Sequence, residues 1–160
     1  MECIGGVDGF LFAKDARVFC RLASVALLEG NKHAACVVRG GKVLSIGRAS
    51  LSGTTDICKH AVSRHAEMDA ILRIRRNTRH KLHGSTVWSV RILSTEGEIV
   101  VAMAKPCSLC KKIMENHGVR SCVYSCRNGQ FIRCRVSELN STHTNGTMLA
   151  RKVSWGPAMS

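Results

Sequence analysis

The chain has 160 residues, 45% of them hydrophobic, with 24 Lys+Arg against 11 Asp+Glu and a formal net charge of +13. That length suits one domain with a real core, and the apolar fraction is that of an ordinary globular protein. No apolar run approaches the roughly 20 residues that cross a bilayer, so a membrane span is excluded, while the charge predicts attraction to phosphate-bearing partners.

The opening residues, Met1 to Gly6, contain an acid and no basic segment, which argues against a secretory signal and for an intracellular protein, cytoplasmic or nuclear. Nine cysteines raise the alternative of a disulfide scaffold. Their odd number, the size of the chain and the missing signal all argue against it. Cys36, Cys122 and Cys134 stand in apolar, strand-like stretches, where a free cysteine behaves as a small hydrophobe.

Residues 1–9 read as a loose leader. From Phe10 to Leu28 the spacing of Val18, Leu22, Val25 and Leu28 is helical, with Asp15 as N-cap, Gly30 as stop and Arg17 and Arg21 facing outward. Two apolar runs, 33–38 and 43–47, flank Gly40-Gly41 and predict a β-hairpin. Residues 48–58, rich in Ser, Thr and Gly, form a loop. A helix is expected from His65 to Arg76, burying Ala70, Ile71 and Ile74 and ending in a basic stretch that reaches Lys81.

A third strand is expected over 86–93, then a turn at 94–98 and a further apolar run over 99–104 that returns the chain to Pro106. Pro106 suits the first turn of a helix carrying Cys107 and Cys110 and stopped by Gly118. Strand four covers 119–126 and strand five 130–136. Only Arg127, Asn128 and Gly129 lie between them, far short of the dozen or so residues a parallel crossover needs, so strand five must run antiparallel to strand four. Residues 140–160 read as a tail or accessory arm, leaving 10–139 as the domain.

Two short stretches carry the chemistry: His65-Ala66-Glu67, and Pro106-Cys107-Ser108-Leu109-Cys110. One imidazole and two thiolates make three ligands of a catalytic Zn²⁺ that keeps its fourth position for water. Cys107 and Cys110, at i and i+3, project from one side of a helix near its start, where the dipole favours thiolates. A redox pair, or chance in a cysteine-rich chain, is the alternative for these two. The preceding proline and the upstream His-x-Glu favour zinc. Glu67, left over from the ligand set, is the residue to move protons, and it also suits a helix first turn as an acid.

H-x-E followed by P-C-x-x-C is the signature of zinc-dependent nucleobase deaminases, and the chain resembles the cytidine/deoxycytidylate deaminase superfamily. The likeness extends over roughly residues 15 to 137. It implies a three-layer α-β-α sandwich around a five-stranded mixed sheet. The antiparallel fifth strand is similar to the cytidine and blasticidin deaminase branch and to toxin-type deaminases. The resemblance further implies a zinc-bound hydroxide attacking C4 of a cytosine-type base. Glu67 would take the water's proton, protonate N3 and help ammonia leave. Ala66 and the Cys107 backbone would contact the base, and Ser108 would border the pocket.

Where many relatives carry a sugar-contacting Asn after the second strand, this chain has Gly47-Arg48-Ala49-Ser50, which makes Arg48 the candidate substrate contact at that place. Lys105 likewise stands where relatives often have Ser or Glu. The leading reading is a deaminase of a nucleoside or nucleotide. A polynucleotide cytosine deaminase is the second, since Phe131, Arg133 and Arg135 fall on one face of strand five and Arg73 and Arg76 begin another basic cluster, an arrangement suited to single-stranded nucleic acid. A third is a deaminase fold kept as a structural or nucleic-acid-associated protein, for example in a viral particle. Relatives with this sheet order often form tetramers, so a homo-oligomer is expected.

Overall fold

In a computed structural model, residues 1–28, 32–49 and 65–140 are described. The elements are strands β1 (Glu2–Gly6) and β2 (Gly9–Phe10), helix α1 (Ala13–Leu28), strands β3 (His33–Arg39) and β4 (Lys42–Arg48), helix α2 (Ala66–Leu72), strands β5 (Thr86–Thr95) and β6 (Glu98–Ala102), helix α3 (Ser108–Asn116), and strands β7 (Ser121–Ser125) and β8 (Gln130–Arg135). Short 3₁₀ turns cover Arg76–Leu82 and Val136–Glu138. The expected stop at Gly30, most of the 48–58 loop and the tail from 141 onward lie outside the described residues.

One mixed sheet runs in the order β2-β1-β8-β7-β5-β3-β4, with β6 paired to β5. The expected five-stranded sheet is corrected to eight strands among the described residues, because two segments add to its margins. The anticipated loose leader instead supplies β1, whose Glu2, Cys3, Gly5 and Gly6 pair with β8, and whose other edge takes β2. β8 is thereby relieved of an open edge. The second addition is β6. β7 pairs with Thr86–Ser89 of β5, the only parallel pairing among the described residues, and β6 pairs antiparallel with Arg91–Thr95 farther along. Ser125 closes the junction: its hydroxyl donates to the Ala102 carbonyl and accepts from the Arg91 N–H.

Alternation along the strands divides the core in two. Ala34, Cys36, Trp88, Val90, Val123 and Phe131 pack with Val18, Leu22 and Ala26 of α1. Ala35, Val37, Val87, Cys122 and Cys134 pack with Met68, Ala70 and Ile71 of α2 and Ile113 and Met114 of α3. The three layers of the sequence reading are therefore present, and among the described residues α1 is the one helix on its face. The antiparallel β7–β8 pairing is as expected, with Cys122 opposite Cys134 and their sulfurs 3.8 Å apart. The turn closes with the Gly129 N–H donating to the Cys126 carbonyl and Gly129 at φ 79°, while the Asn128 carboxamide oxygen accepts from the Gln130 N–H.

Three helix boundaries moved. Phe10 belongs to β2, so α1 begins at Ala13, and Asp15 sits inside its first turn rather than capping it. Asp15 is buried and its carboxylate lies 3.6 Å from the Arg133 guanidinium. α2 stops at Leu72 instead of Arg76, because Ile74 donates back to Ile71 in a tighter turn while the Arg73 side chain folds onto Asp69. Pro106 precedes α3 rather than opening it, and Cys107 is the N-cap.

Candidate metal centre

The two motifs meet because both stand at helix starts on the same face of the sheet. His65 is the extended N-cap of α2, which rests on β3 and β4, and Glu67 follows in the first turn. The Cys107 side chain accepts from the Cys110 N–H, a cap bond that turns its sulfur inward beside Cys110. The β5–β6 hairpin delivers this segment, and the Ala104 N–H is held by the Ser125 carbonyl.

His65 Nδ1 lies 3.3 Å from the Cys110 sulfur and 3.4 Å from the Cys107 sulfur. The three donor atoms all fall within 4.8 Å of one another. Tetrahedral zinc, with Zn–N ~2.0 Å and Zn–S ~2.3 Å, sets nitrogen and sulfur roughly 3.5 Å apart, so spacing and donor chemistry both fit Zn²⁺. Both thiols are buried.

Electrostatics prepare the donors. The hydrogen bond from Cys110 brings the Cys107 thiol down to about 4, against the opposing effect of burial and with help from His65. Cys110 is pushed well above the usual thiol range by that same shared bond and by burial. Burial pulls His65 down, but its bond to Cys107 and the charges of Cys107 and Glu67 outweigh this, and the net shift is upward. Loading with zinc must therefore expel the Cys110 proton, and that of His65 wherever it is still held. Calorimetry in buffers of different ionisation enthalpy should show between about one and two protons released near neutrality, falling toward one as pH rises through the His65 transition.

Glu67 is buried beside these ligands, within hydrogen-bonding reach of the Cys110 thiol, and burial raises its pKa above the usual carboxylate range. Its Oε1 accepts no hydrogen bond among the described residues. The sequence reading missed the floor under it. His33, Ser89 and Arg91 project from β3 and β5 on this face, with His33 in register opposite Arg91 and Ala35 opposite Ser89. His33 Nε2 lies 2.8 Å from Ser89 Oγ and 3.5 Å from Glu67 Oε1. Arg91 Nη2 lies 3.4 Å from His33 Nδ1. Burial, Arg91 and His65 bring the His33 pKa down to about 3, so its ring is neutral at ordinary pH. The signal available in sequence was two polar residues, Ser89 and Arg91, two apart within an apolar strand.

Ala66 is fully buried behind His65, and Ser108 is half-buried at the first position of α3. Arg48 pairs with Ala34, whose side chain faces α1, so strand alternation turns the Arg48 side chain away from the ligand face. Its backbone N–H donates to Asp69, 2.9 Å away, and Arg73 Nε donates to the same carboxylate oxygen at 2.8 Å. Arg73 lines a shallow cleft of about 270 Å³ with Arg75, Lys81 and Lys42, and Arg76 is exposed nearby.

Phe131 is a correction. It is not an open stacking platform, since its ring is fully buried with Phe10, Phe19 and Trp88 at centroid distances of 5.1, 5.2 and 5.9 Å. The period of two was read rightly, but the face it defines is covered by α1. Arg133 on that face is half-buried against Asp15, and Arg135 is exposed. Both arginines line a groove of about 740 Å³ with Arg39 and Gly40, at the end of β3 opposite His33 and hence remote from the metal ligands. Phe131→Ala should therefore act as a core truncation, costing about 3–5 kcal/mol in a denaturant melt. A stability change below about 1 kcal/mol would contradict the buried placement.

A layered α/β fold that brings an imidazole and two thiolates together at two helix starts defines a protein with a candidate zinc site. Residues 16–126 match the family model of the cytidine and deoxycytidylate deaminase zinc-binding region, and the chain belongs to that family. No curated protein matches the sequence. Among solved structures it is similar to the dCMP deaminase of cyanophage S-TIM5. The apo form is 17% identical, with a TM-score of 0.48, covering 89% of this chain and 94% of that one. The form with dCMP and dUMP is 18% identical, also with a TM-score of 0.48, covering 72% and 83%. RibD of Acinetobacter baumannii is 12% identical with a TM-score of 0.43, covering 89% of this chain and 38% of that one. No helix among the described residues is long and apolar enough to cross a membrane.

Proposed function

We propose that this chain is a zinc-dependent hydrolytic deaminase that converts a cytosine-type base to its uracil counterpart in a nucleoside or nucleotide. The observation that carries the reading is Glu67, a buried carboxylate with an unsatisfied oxygen, set against a His/Cys/Cys cluster. Burying such a group without a partner costs stability. A site of purely structural zinc gains nothing from it, whereas proton transfer requires an uncommitted carboxylate at this place.

His65, Cys107 and Cys110 would hold the metal, which when bound brings a coordinated water within reach of deprotonation near neutral pH. Glu67 accepts the water's proton and delivers it to the ring nitrogen, N3. As the water oxygen adds to C4, Glu67 carries the proton still on that oxygen to the departing amino group, so that the C–N bond breaks, ammonia leaves and a carbonyl takes its place. The raised pKa suits this task, because it makes Glu67 a stronger base for the first transfer and keeps its protonated form more populated for the second. Ala66 and Ser108 border the base, while the catalytic domain covers 10–139 with β1 joined to its edge. A nucleotide-sized substrate is favoured over a polynucleotide because the stacking residue proposed for the latter, Phe131, is inaccessible.

The test is ammonia release by zinc-loaded protein from cytidine, deoxycytidine, their monophosphates, adenosine and single-stranded oligonucleotides. Turnover of a small cytosine substrate supports the reading. Editing confined to oligonucleotides would transfer it to the polynucleotide class. Stoichiometric zinc with no turnover would replace it with a structural role.

A further inference from the structure

The floor of the site makes a chain of polar groups that the ligand motif does not explain. It consists of Arg91, His33, Ser89 and Glu67, contributed by β5, β3, β5 and α2. His33 is buried at the sheet surface, where a strand of this composition would ordinarily place an aliphatic residue like its neighbours Ala35 and Val37. A buried imidazole is tolerated when both ring nitrogens are partnered, and here both have neighbours, the one at Nδ1 being of defined hydrogen-bonding sense.

A guanidinium has donors only. Arg91, facing Nδ1 at 3.4 Å, therefore requires that nitrogen to accept, and the ring proton of a neutral His33 must sit on Nε2. That single N–H faces Ser89 Oγ at 2.8 Å and Glu67 Oε1 at 3.5 Å. The register fixes the arrangement, since His33 stands directly opposite Arg91 in the β3–β5 ladder and Ser89 follows two residues away on the same face. Glu67 Oε1, which otherwise accepts nothing, has this donor as its neighbour.

We propose that His33 is a positioning residue for Glu67: Arg91 selects its tautomer, Ser89 fixes its ring plane, and its Nε2–H steers the carboxylate towards the metal ligands. The N–H is engaged with the serine oxygen at 2.8 Å, and the carboxylate oxygen at 3.5 Å is the next acceptor in its reach, drawn towards it without being tied up by it. A carboxylate offers about four lone-pair sites, so one directed at His33 leaves the others for proton transfer. The imidazole adds direction without adding charge, and the Arg91 charge is held one ring farther from the carboxylate. The catalytic part of this inference rests on the deaminase reading, while the hydrogen-bonding part does not.

The hydrogen-bonding part is tested by ¹⁵N NMR of the His33 ring in full-length, zinc-loaded protein. A bare Nδ1 and a protonated Nε2 are expected, with the two tautomers mixing in Arg91→Met. A protonated Nδ1 in the wild-type protein would overturn the inference whatever the enzyme does. The catalytic part is tested with His33→Leu and His33→Gln, whose amide N–H can replace the imidazole donor. With zinc content unchanged, His33→Leu should lower kcat about ten- to a hundredfold with KM within about twofold, and His33→Gln should recover most of the loss. Equal losses in both variants, or a change confined to KM, would mean packing or substrate contact and overturn it. If wild-type protein deaminates nothing, the functional reading fails, and the ring-nitrogen assignment still decides the contact.

Discussion

Glu67→Gln is expected to bind zinc as the wild-type protein does and to deaminate about 10²- to 10⁴-fold more slowly. The substitution preserves volume and leaves His65, Cys107 and Cys110 in place. It removes the group that can take up and return a proton. Because the Glu67 side chain is buried and its charged form is disfavoured by that burial, the neutral amide should also fold at least as well. The expected signature is thus a split: equal or higher thermal stability, unchanged metal content and an almost complete loss of kcat. A variant that keeps more than about a tenth of wild-type kcat would show that Glu67 is not the proton carrier. One that loses its zinc would show that the carboxylate belongs to the ligand set.

What was legible in the sequence follows from how local each feature is. His65, Glu67, Cys107 and Cys110 lie within two stretches of three and five residues, and each stretch specifies its own helix start, so the ligand set and the leftover carboxylate could be read directly. The β7–β8 direction was legible for a similar reason, since three intervening residues permit only a hairpin. The floor of the site was not. His33 acquires its meaning from Arg91, 58 residues away, and only the β3–β5 register makes them opposite numbers. Phe131 failed in another way. A period of two reveals that a strand has two faces, but the helix that covers one of them is set by tertiary packing. β1 was hidden because Glu-Cys-Ile-Gly-Gly carries little strand propensity, and its pairing is supplied by β8.

The second large effect is expected at Gly47→Ala, a residue that holds no ligand but packs directly against the helix start that carries one. Gly47 lies in β4, opposite Ala35, where the backbone of α2 crosses the sheet. A Cβ there would press on the Ala70 nitrogen, fall 2.5 Å from the Ala66 carbonyl oxygen and come within 2.8 Å of the Ala70 Cα. These are main-chain atoms of a helix, and no rotamer change can clear them. α2 has to lift from β4, and it carries Ala66, Glu67, Asp69 and the His65 cap with it. The bonds from Arg48 and Ser45 to α2, at 2.9 and 2.7 Å, would be stretched by the same displacement. Overpacking of this kind costs about 1–3 kcal/mol or somewhat more. Because reacting groups tolerate little misplacement, a shift near ~1 Å should also reduce kcat about a hundredfold. Thermal melts, zinc stoichiometry and turnover measured on one preparation separate the consequences. All three should fall together, whereas Glu67→Gln loses turnover alone. Gly47→Ala protein with wild-type stability and activity would mean that α2 does not rest on β4 as closely as the packing around Ala66 and Ala70 requires.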